Sequence, residues 1–341
     1  MKNLNNGCFS PFFSHIYVEK QVQNHPRTKE ILAQYPRAQI IEISHYKDVF
    51  CRSRQNQPLQ HRAQKLILAA KDGTLIYPGS VVCQSFGNAN FYYTSCMMNC
   101  IYDCEYCYLK GMYPSANLVI FVNLEDIFAQ LERMLEQQSL YVCVSYDTDL
   151  LALERAIGYA GAWNRFAAKH SQNLKIEIRT KCANKQFFES QDPLSNVIYA
   201  FTLSPQAVVE RFEHYTPSLT ERIACAANAA CAGFLVRLCF DPMIYVSDWQ
   251  LHYKNMVQEV FARIKADRLA DVSVGSFRIP QDYLKNMRRQ QPDSAAAWFP
   301  YQMENGYAHY PQKLMEQMEQ YLIGCLREYL PQENIFLWKE S

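Results

Sequence analysis

The sequence predicts an α/β protein: a partial (β/α)6 barrel with an N-terminal and a C-terminal extension. Three observations carry this. Strand-like and helix-like stretches alternate about six times between residues 86 and 280, a rhythm that implies parallel strands joined by right-handed crossovers. Three cysteines, Cys100, Cys104 and Cys107, lie in a loop just after the first of those strands, at the rim where such barrels place their chemistry. The chain has 341 residues, 49% hydrophobic and 20% charged, which is enough to build a large core.

The elements follow in order. Residues 1–85 form the first extension, with a helix expected around 28–35 and strands at 38–43 and 66–70. The first barrel strand is expected at 90–95. After the cysteine loop, 118–122 reads as a strand leading into a helix capped by Asn123, with apolar residues at helical spacing. A buried strand at 140–145 precedes a helix over 150–168. Residues 174–180 alternate Leu, Ile and Ile with Lys, Glu and Arg, the period of a strand. A short helix follows, then a strand at 196–203 and helices at 206–212 and 219–232. Gly233 stops the last of these before a strand at 234–240. An amphipathic stretch at 248–265 and a strand at 271–277 complete the barrel. The second extension, 281–341, opens on Pro-, Gln- and Tyr-rich sequence and ends in a helix over 311–330.

Composition narrows the function classes. A net charge of +1 exerts no global pull toward nucleic acid, so any such contact needs local patches. Candidates are Arg52, Arg54, Arg62 and Lys65, and Lys285, Arg288 and Arg289; solvated helix faces explain each patch equally well. No run of eighteen apolar residues appears, so no membrane span is expected. Residues 1–10 carry one Lys and no apolar segment, so a signal peptide is not expected either. Thirteen cysteines without a secretory signal point to a reducing, cytoplasmic setting. Cys225, Cys231, Cys239 and Cys325 sit in apolar surroundings and read as small buried hydrophobes.

The cysteine loop reads Cys100-x3-Cys104-x2-Cys107, with Tyr106 between the last two. Three thiolates on one short loop hold three corners of a [4Fe–4S] cluster and leave the fourth iron open to a small molecule. S-adenosyl-L-methionine (SAM), chelated through its amino and carboxylate groups, is what such a centre binds in radical SAM enzymes. A zinc-stabilised binding protein is the alternative. Structural zinc wants four closed ligands, and adding Cys96 gives a spacing that matches no common zinc knuckle. The nearest histidines are His61 and His170. Cys96 reads as an ordinary core or loop thiol.

Cys104-Glu-Tyr-Cys-Tyr-Leu, followed by Val122-Asn-Leu-Glu-Asp-Ile-Phe-Ala-Gln, resembles the spore photoproduct lyase family of the radical SAM superfamily. Ile16-Tyr-Val-Glu, Ser44-His-Tyr-Lys, Arg179-Thr-Lys, Arg211-Phe-Glu, Ala232-Gly-Phe and Pro242-Met-Ile-Tyr fall in the family's order. The resemblance covers most of residues 15–280. It implies a DNA-repair lyase in which a 5′-deoxyadenosyl radical takes a hydrogen from the spore photoproduct, a thymine dimer, which then splits to two thymines. It further implies UV-damaged DNA as partner, an electron donor such as flavodoxin or ferredoxin, and no membrane. Radical chemistry on another nucleic acid, nucleotide or peptide is the alternative within the superfamily.

The same resemblance assigns residues. Tyr106 matches the aromatic beside the SAM adenine, and Tyr108 a second tyrosine that helps regenerate SAM. Cys143 is the candidate hydrogen donor. The family has Cys-x-Ser-Asp there, whereas this chain reads Cys143-Val-Ser-Tyr-Asp147, with one residue inserted. An ungapped match puts Val144 at the donor position instead. Neighbouring strand residues face opposite ways, so one register step decides, and a buried structural cysteine is the competing reading. Ser145 is a candidate hydrogen-bond partner of SAM, and Lys181 aligns with a family lysine that contacts it. Thr202 and Ser204, at the end of the fourth strand, are candidates for its ribose or amino group. The family wedges an Arg- and Lys-bearing hairpin into the duplex; here residues 298–310 keep the Gly and aromatics but lack the Arg-Tyr pair. Aromatic side chains still suit a wedge, but affinity for phosphate should fall, with His309 the one stand-in for a cation.

Overall fold

A computed structural model describes residues 3–5, 8–10, 13–80 and 83–338, with side chains from residue 13 onward. Six strands run parallel and side by side in chain order: β1 (Phe91–Thr94), β2 (Leu140–Cys143), β3 (Leu174–Thr180), β4 (Val197–Thr202), β5 (Leu235–Met243) and β6 (Leu269–Ser276). The alternation predicts these six, but the strand expected at 118–122 in the same run leaves the barrel and pairs parallel with Leu66–Ala69 in a second sheet. A seventh parallel strand, β7 (Ile335–Leu337), joins at the β6 edge, and Ile76–Pro78 pairs antiparallel with β1 at the other. Both additions are three residues long, too short for a period to show.

The two faces of the sheet differ. Val142, Ile176, Ile178, Leu238, Val272 and Val274 point outward into the helix layer and are fully buried. The helix Leu124–Leu135 buries Leu124, Ile127 and Leu131, at i, i+3 and i+7, in the same apolar core, each burial contributing about 1.5–3 kcal/mol. The opposite, inner face carries Tyr141, Cys143, Glu177, Arg179, Arg237 and Asp271. The helix expected over 150–168 is in fact two, Leu150–Ile157 and Tyr159–Lys169. Gly158 between them takes a left-handed conformation (φ 64°), which ends the first helix, and the Glu154 carboxylate accepts from the Ala160 and Gly161 N–H groups to start the second.

The first extension builds a second sheet, ordered Gln39–Ile43, His15–Glu19, Leu66–Ala69, Leu118–Phe121 and Met97–Met98. Its fourth and fifth strands come from the stretch around the cysteine loop, so that loop is clasped between two sheets. In the second extension, Gln281–Gln290 is a helix that buries Leu284 and Met287 within otherwise polar sequence. Gln302–Glu304 and Tyr307–His309 then form a hairpin across Asn305–Gly306, both at positive φ, with Arg278–Pro280 as third strand. The last helix spans Gln312–Leu326. No helix among the described residues is long and apolar enough to cross a membrane.

Candidate functional site

The cysteine loop leaves β1 and is pinned on every side. Phe121 N–H donates to the Cys96 carbonyl at 3.1 Å. Asn99, at φ 67°, donates its amide to the Ser115 and Asn117 carbonyls at 2.6 and 2.8 Å. Gln64 Nε2 donates to the Cys100 carbonyl at 3.0 Å, and Asp103–Cys104 pairs antiparallel with Glu213–His214. Cys107 N–H closes the turn onto the Cys104 carbonyl at 3.2 Å.

Cys104 is buried; Cys100 and Cys107 are half-buried and line one narrow crevice with Asn99, His61 and Lys110. Beside it opens a larger cavity of about 620 Å³, bordered by Asp103, Glu105, Lys110 and His214. Burial pushes all three thiols up, Cys104 to about 12. At Cys100 the charges of Asp149 and of the other two thiols add to this, whereas Lys181 opposes it at Cys104 and Cys107. Burial thus favours the neutral thiols, and Lys181 is the nearby cation that favours the thiolate at both Cys104 and Cys107. Cys96 stands apart: its thiol donates to the Val144 carbonyl at 3.7 Å, and its neighbours are Trp163 and Lys71. Among the described residues no three Cys, His, Asp or Glu side chains converge on a single ion, as a structural zinc site requires. An iron–sulfur cube takes each thiolate at a different iron, so its ligands need not meet at a point. Three neighbouring thiols with the fourth turned away fit a [4Fe–4S] cluster with one open iron.

A buried ion network backs the loop. Glu213 and Arg222 are fully buried and paired at 2.5 Å. Tyr106 Oη and Ser204 Oγ both donate to the other Glu213 oxygen, the latter at 2.7 Å. Lys181 Nζ lies 2.9 Å from Tyr106 Oη, 3.6 Å from Glu213 Oε1 and 3.9 Å from Cys104 Sγ. Burial alone would raise the Glu213 carboxyl, but Arg222 and then Lys181 outweigh it and hold it at about 2. Lys181 is aimed by its own backbone N–H, which donates to Asp149 at 2.7 Å. Thr202 is buried one step away, its carbonyl 3.4 Å from Arg222 Nη1.

The register question at β2 has a geometric answer. Cys143 pairs across the sheet with Glu177, and both face inward. Val144 faces outward and belongs to the apolar core, 1% exposed. Burial first, then Glu177, pushes the Cys143 thiol well up, so it stays S–H at neutral pH. Around it the inner face is charged: Arg237 binds Glu177 at 2.5 Å, the Tyr141 hydroxyl at 2.7 Å and both Asp271 oxygens. Ser145 Oγ accepts from Arg179 N–H at 2.6 Å and donates to its carbonyl at 3.1 Å, tying the end of β2 to β3. Tyr108 Oη donates to the Tyr146 carbonyl at 2.6 Å. Tyr146 stacks on Tyr93 with centroids 4.1 Å apart, and the Cys83 thiol lies 3.9 Å from its hydroxyl.

The hairpin is rooted on this site: Phe277 lies 6.4 Å from Tyr106 and 5.2 Å from Tyr301 between ring centroids. Its tip presents the exposed Glu304, and His309 is engaged by the Tyr310 carbonyl at 2.7 Å and Glu304 at 3.5 Å. The basic patches are mostly tied down. Lys65 donates to Ser14 Oγ at 2.6 Å, Arg52 to the Asp48 carbonyl at 2.8 Å, Arg288 to the Ala297 carbonyl at 2.9 Å and Arg289 to Asn286. Cys231, expected inside, is exposed at the end of its helix, while Cys225, Cys239 and Cys325 are buried. Sequence reasoning gave no role to Glu213, Arg222 or Arg179. The available signals were Arg211-Phe-Glu213 and the alternating charges of β3, which read as an exposed strand face.

A family model for spore photoproduct lyase matches residues 9–290. The chain belongs to the spore photoproduct lyase family. Similar family members include the spore photoproduct lyases of Geobacillus sp., 24% identical over 51% of this chain and 52% of that one, and of Clostridium acetobutylicum, 26% identical over 50% and 51%. The chain spans about half the length of the curated relatives it matches. Among solved structures, spore photoproduct lyase complexed with dinucleoside spore photoproduct superposes with a TM-score of 0.80 at 16% identity, over 96% of this chain and 99% of that one. A variant with bound AdoMet and dinucleoside spore photoproduct gives 0.80 at 16%, over 97% and 100%. The shared fold is the radical SAM partial barrel.

Proposed function

We propose that this chain is a radical SAM carbon–carbon lyase that splits the spore photoproduct back to two thymines. The observation that carries it is a free thiol, Cys143, on the inner face of the barrel beneath a rim of three further thiols, in a member of this family. Relatives named spore photoproduct lyase, and a neighbour holding AdoMet and the dinucleoside lesion, support the same reading.

Cys100, Cys104 and Cys107 would hold the [4Fe–4S] cluster. Together with bound SAM, it supplies a 5′-deoxyadenosyl radical when reduced, by a donor such as flavodoxin or ferredoxin in the cytoplasm. The chain's own residues bind and orient. Lys181 offers a cation for the SAM carboxylate, and Ser145, Thr202 and Ser204 offer hydroxyls for its other polar groups. Tyr106 offers a flat ring to the adenine. Cys143 gives its S–H hydrogen atom to the carbon radical of the opened dimer, leaving the unpaired electron on sulfur. The sulfur would then be refilled by a hydrogen atom from Tyr108, Tyr108 from Tyr106, and Tyr106 from the 5′-methyl group of deoxyadenosine, so that the unpaired electron returns to the nucleoside from which SAM is re-formed. Burial that keeps Cys143 protonated serves this, because a thiolate has no hydrogen atom to give.

Reconstituted protein, incubated without oxygen with SAM, a reductant and the dinucleotide lesion, is expected to convert the lesion to thymidylyl-thymidine, with 5′-deoxyadenosine formed in smaller amount because SAM is re-formed. Deoxyadenosine without that product would contradict the substrate. The hairpin tip favours that second reading, radical chemistry on another nucleic acid, nucleotide or peptide, because residues 302–309 contain no Lys or Arg to grip a duplex.

A further inference from the structure

Three arginines occupy the inner face, and they are not equivalent. Arg237 is 2% exposed and spends every nitrogen on Glu177, Tyr141 and Asp271, with Phe86 stacked 3.2 Å from its guanidinium carbon. Arg278 is bound to both oxygens of Asp241 at 3.1 and 3.2 Å and lies over Trp338. Gly275 leaves room for that pair: a Cβ there would sit 3.0 Å from Arg278 Nη1 and 3.1 Å from the Asp241 carboxyl. Arg179 differs. Only its Nε is engaged, by Glu177 Oε1 at 3.2 Å, and among the described residues its two terminal amino groups have no hydrogen-bond partner. Its side chain is 32% exposed on a face that is otherwise closed.

Its position is specific. Arg179 stands two residues beyond Glu177 on β3, and Glu177 is the strand partner of Cys143. The guanidinium therefore lies on the same face as the Cys143 thiol, one layer nearer the rim, with Cys143, Cys239 and Asp241 around it. The Ser145 hydroxyl clamps the Arg179 backbone from both sides, which fixes where the side chain starts. Cys83, which senses the Arg179 charge, links this fork to the stacked Tyr93–Tyr146 pair.

We propose that the two free amino groups of Arg179 donate together to one carbonyl oxygen of a pyrimidine ring and hold that ring against Cys143. This rests on the lyase reading above and names the group that recognises the base. A guanidinium fork can place its two terminal N–H groups on the two lone pairs of a single carbonyl oxygen. Carbonyls suit the site better than a phosphodiester for two reasons. A thiol that is 8% exposed can only meet a ring that has itself entered the barrel, while backbone phosphate stays outside. The three arginines are also matched by Glu177, Asp241 and Asp271, so no surplus positive charge waits there for a full anion.

The test uses the reconstituted holoenzyme with two probes, the dinucleoside lesion and the dinucleotide lesion, which differ by one phosphodiester. Binding of each to wild type and to Arg179→Gln and Arg179→Lys is measured by calorimetry without reductant, and turnover with it. Arg179→Gln should weaken both probes equally, by about 10–100-fold, and lower the amount of repaired thymidine product formed per deoxyadenosine. Arg179→Lys, which keeps the charge but not the fork, should recover only part of the binding. Iron content and substrate-free SAM cleavage should match wild type in both variants, and the thermal midpoint should match in Arg179→Lys and fall slightly in Arg179→Gln, which loses the Glu177 pair. Unchanged dinucleoside binding, or a loss confined to the dinucleotide, overturns the assignment, the second because it makes phosphate the ligand. If wild type cleaves SAM but converts neither probe to its thymidine product, the lyase reading fails and the base assignment with it.

Discussion

The inner and outer faces of the same strands follow opposite rules. Along β2 and β3 the outward residues Val142, Ile176 and Ile178 are featureless aliphatics, and the inward ones are Tyr141, Cys143, Glu177 and Arg179. The outer face gains stability by excluding water, residue by residue. The inner face gives up that gain, placing charges and thiols where burial works against their ionised forms, and recovers part of it through the Arg237 and Arg278 ion pairs. A substitution outside should therefore change stability and leave the chemistry alone. One inside should do the reverse, unless it breaks an ion pair.

The largest effect is expected at the rim. Cys104→Ala should remove the iron–sulfur absorption and reduce SAM cleavage to background. Visible spectra and deoxyadenosine yield check this, and a variant that stays brown and active would mean that Cys104 is no ligand. Cys143→Ala should keep both iron and SAM cleavage but yield adducts in place of thymidylyl-thymidine as the main product, read by mass spectrometry of the products. Arg222→Met leaves Glu213 buried without its partner and should cost about 3–5 kcal/mol in urea unfolding. A loss below 1 kcal/mol would show that Lys181 alone suffices for Glu213. Val144→Ala, one residue from Cys143 but on the other face, should cost about 2 kcal/mol and leave the product ratio untouched. If instead it diverts products, the facing of β2 is wrong. Cys96→Ala should change iron content least of all.

Much of this was legible in the residues. The repeated strand–helix rhythm fixed the barrel because each unit is long enough for its period to show, and the cysteine spacing located the rim. What stayed hidden depended on contacts between distant segments. Nothing local in Glu213 or Arg222 announces a pair buried behind Tyr106, and Ile335–Leu337 becomes a strand only because β6 offers an edge. Gly158 within 150–168 was a visible break that helical periodicity on either side masked. The alternating Glu177 and Arg179 show the period of a strand, but only the pairing of Glu177 with Arg237 and Cys143 on neighbouring strands shows that they face the inside of the barrel. The choice between Cys143 and Val144 needed the face of β2, which a one-residue insertion leaves open in sequence.

Iron analysis and electron paramagnetic resonance of protein purified without oxygen, with and without SAM, test the central claim most directly. The account predicts about four irons per chain and a reduced-cluster spectrum that shifts when SAM binds, in wild type and in Cys96→Ala alike. Colourless protein carrying zinc, or a cluster whose spectrum ignores SAM because a fourth sulfur occupies the last iron, would contradict it.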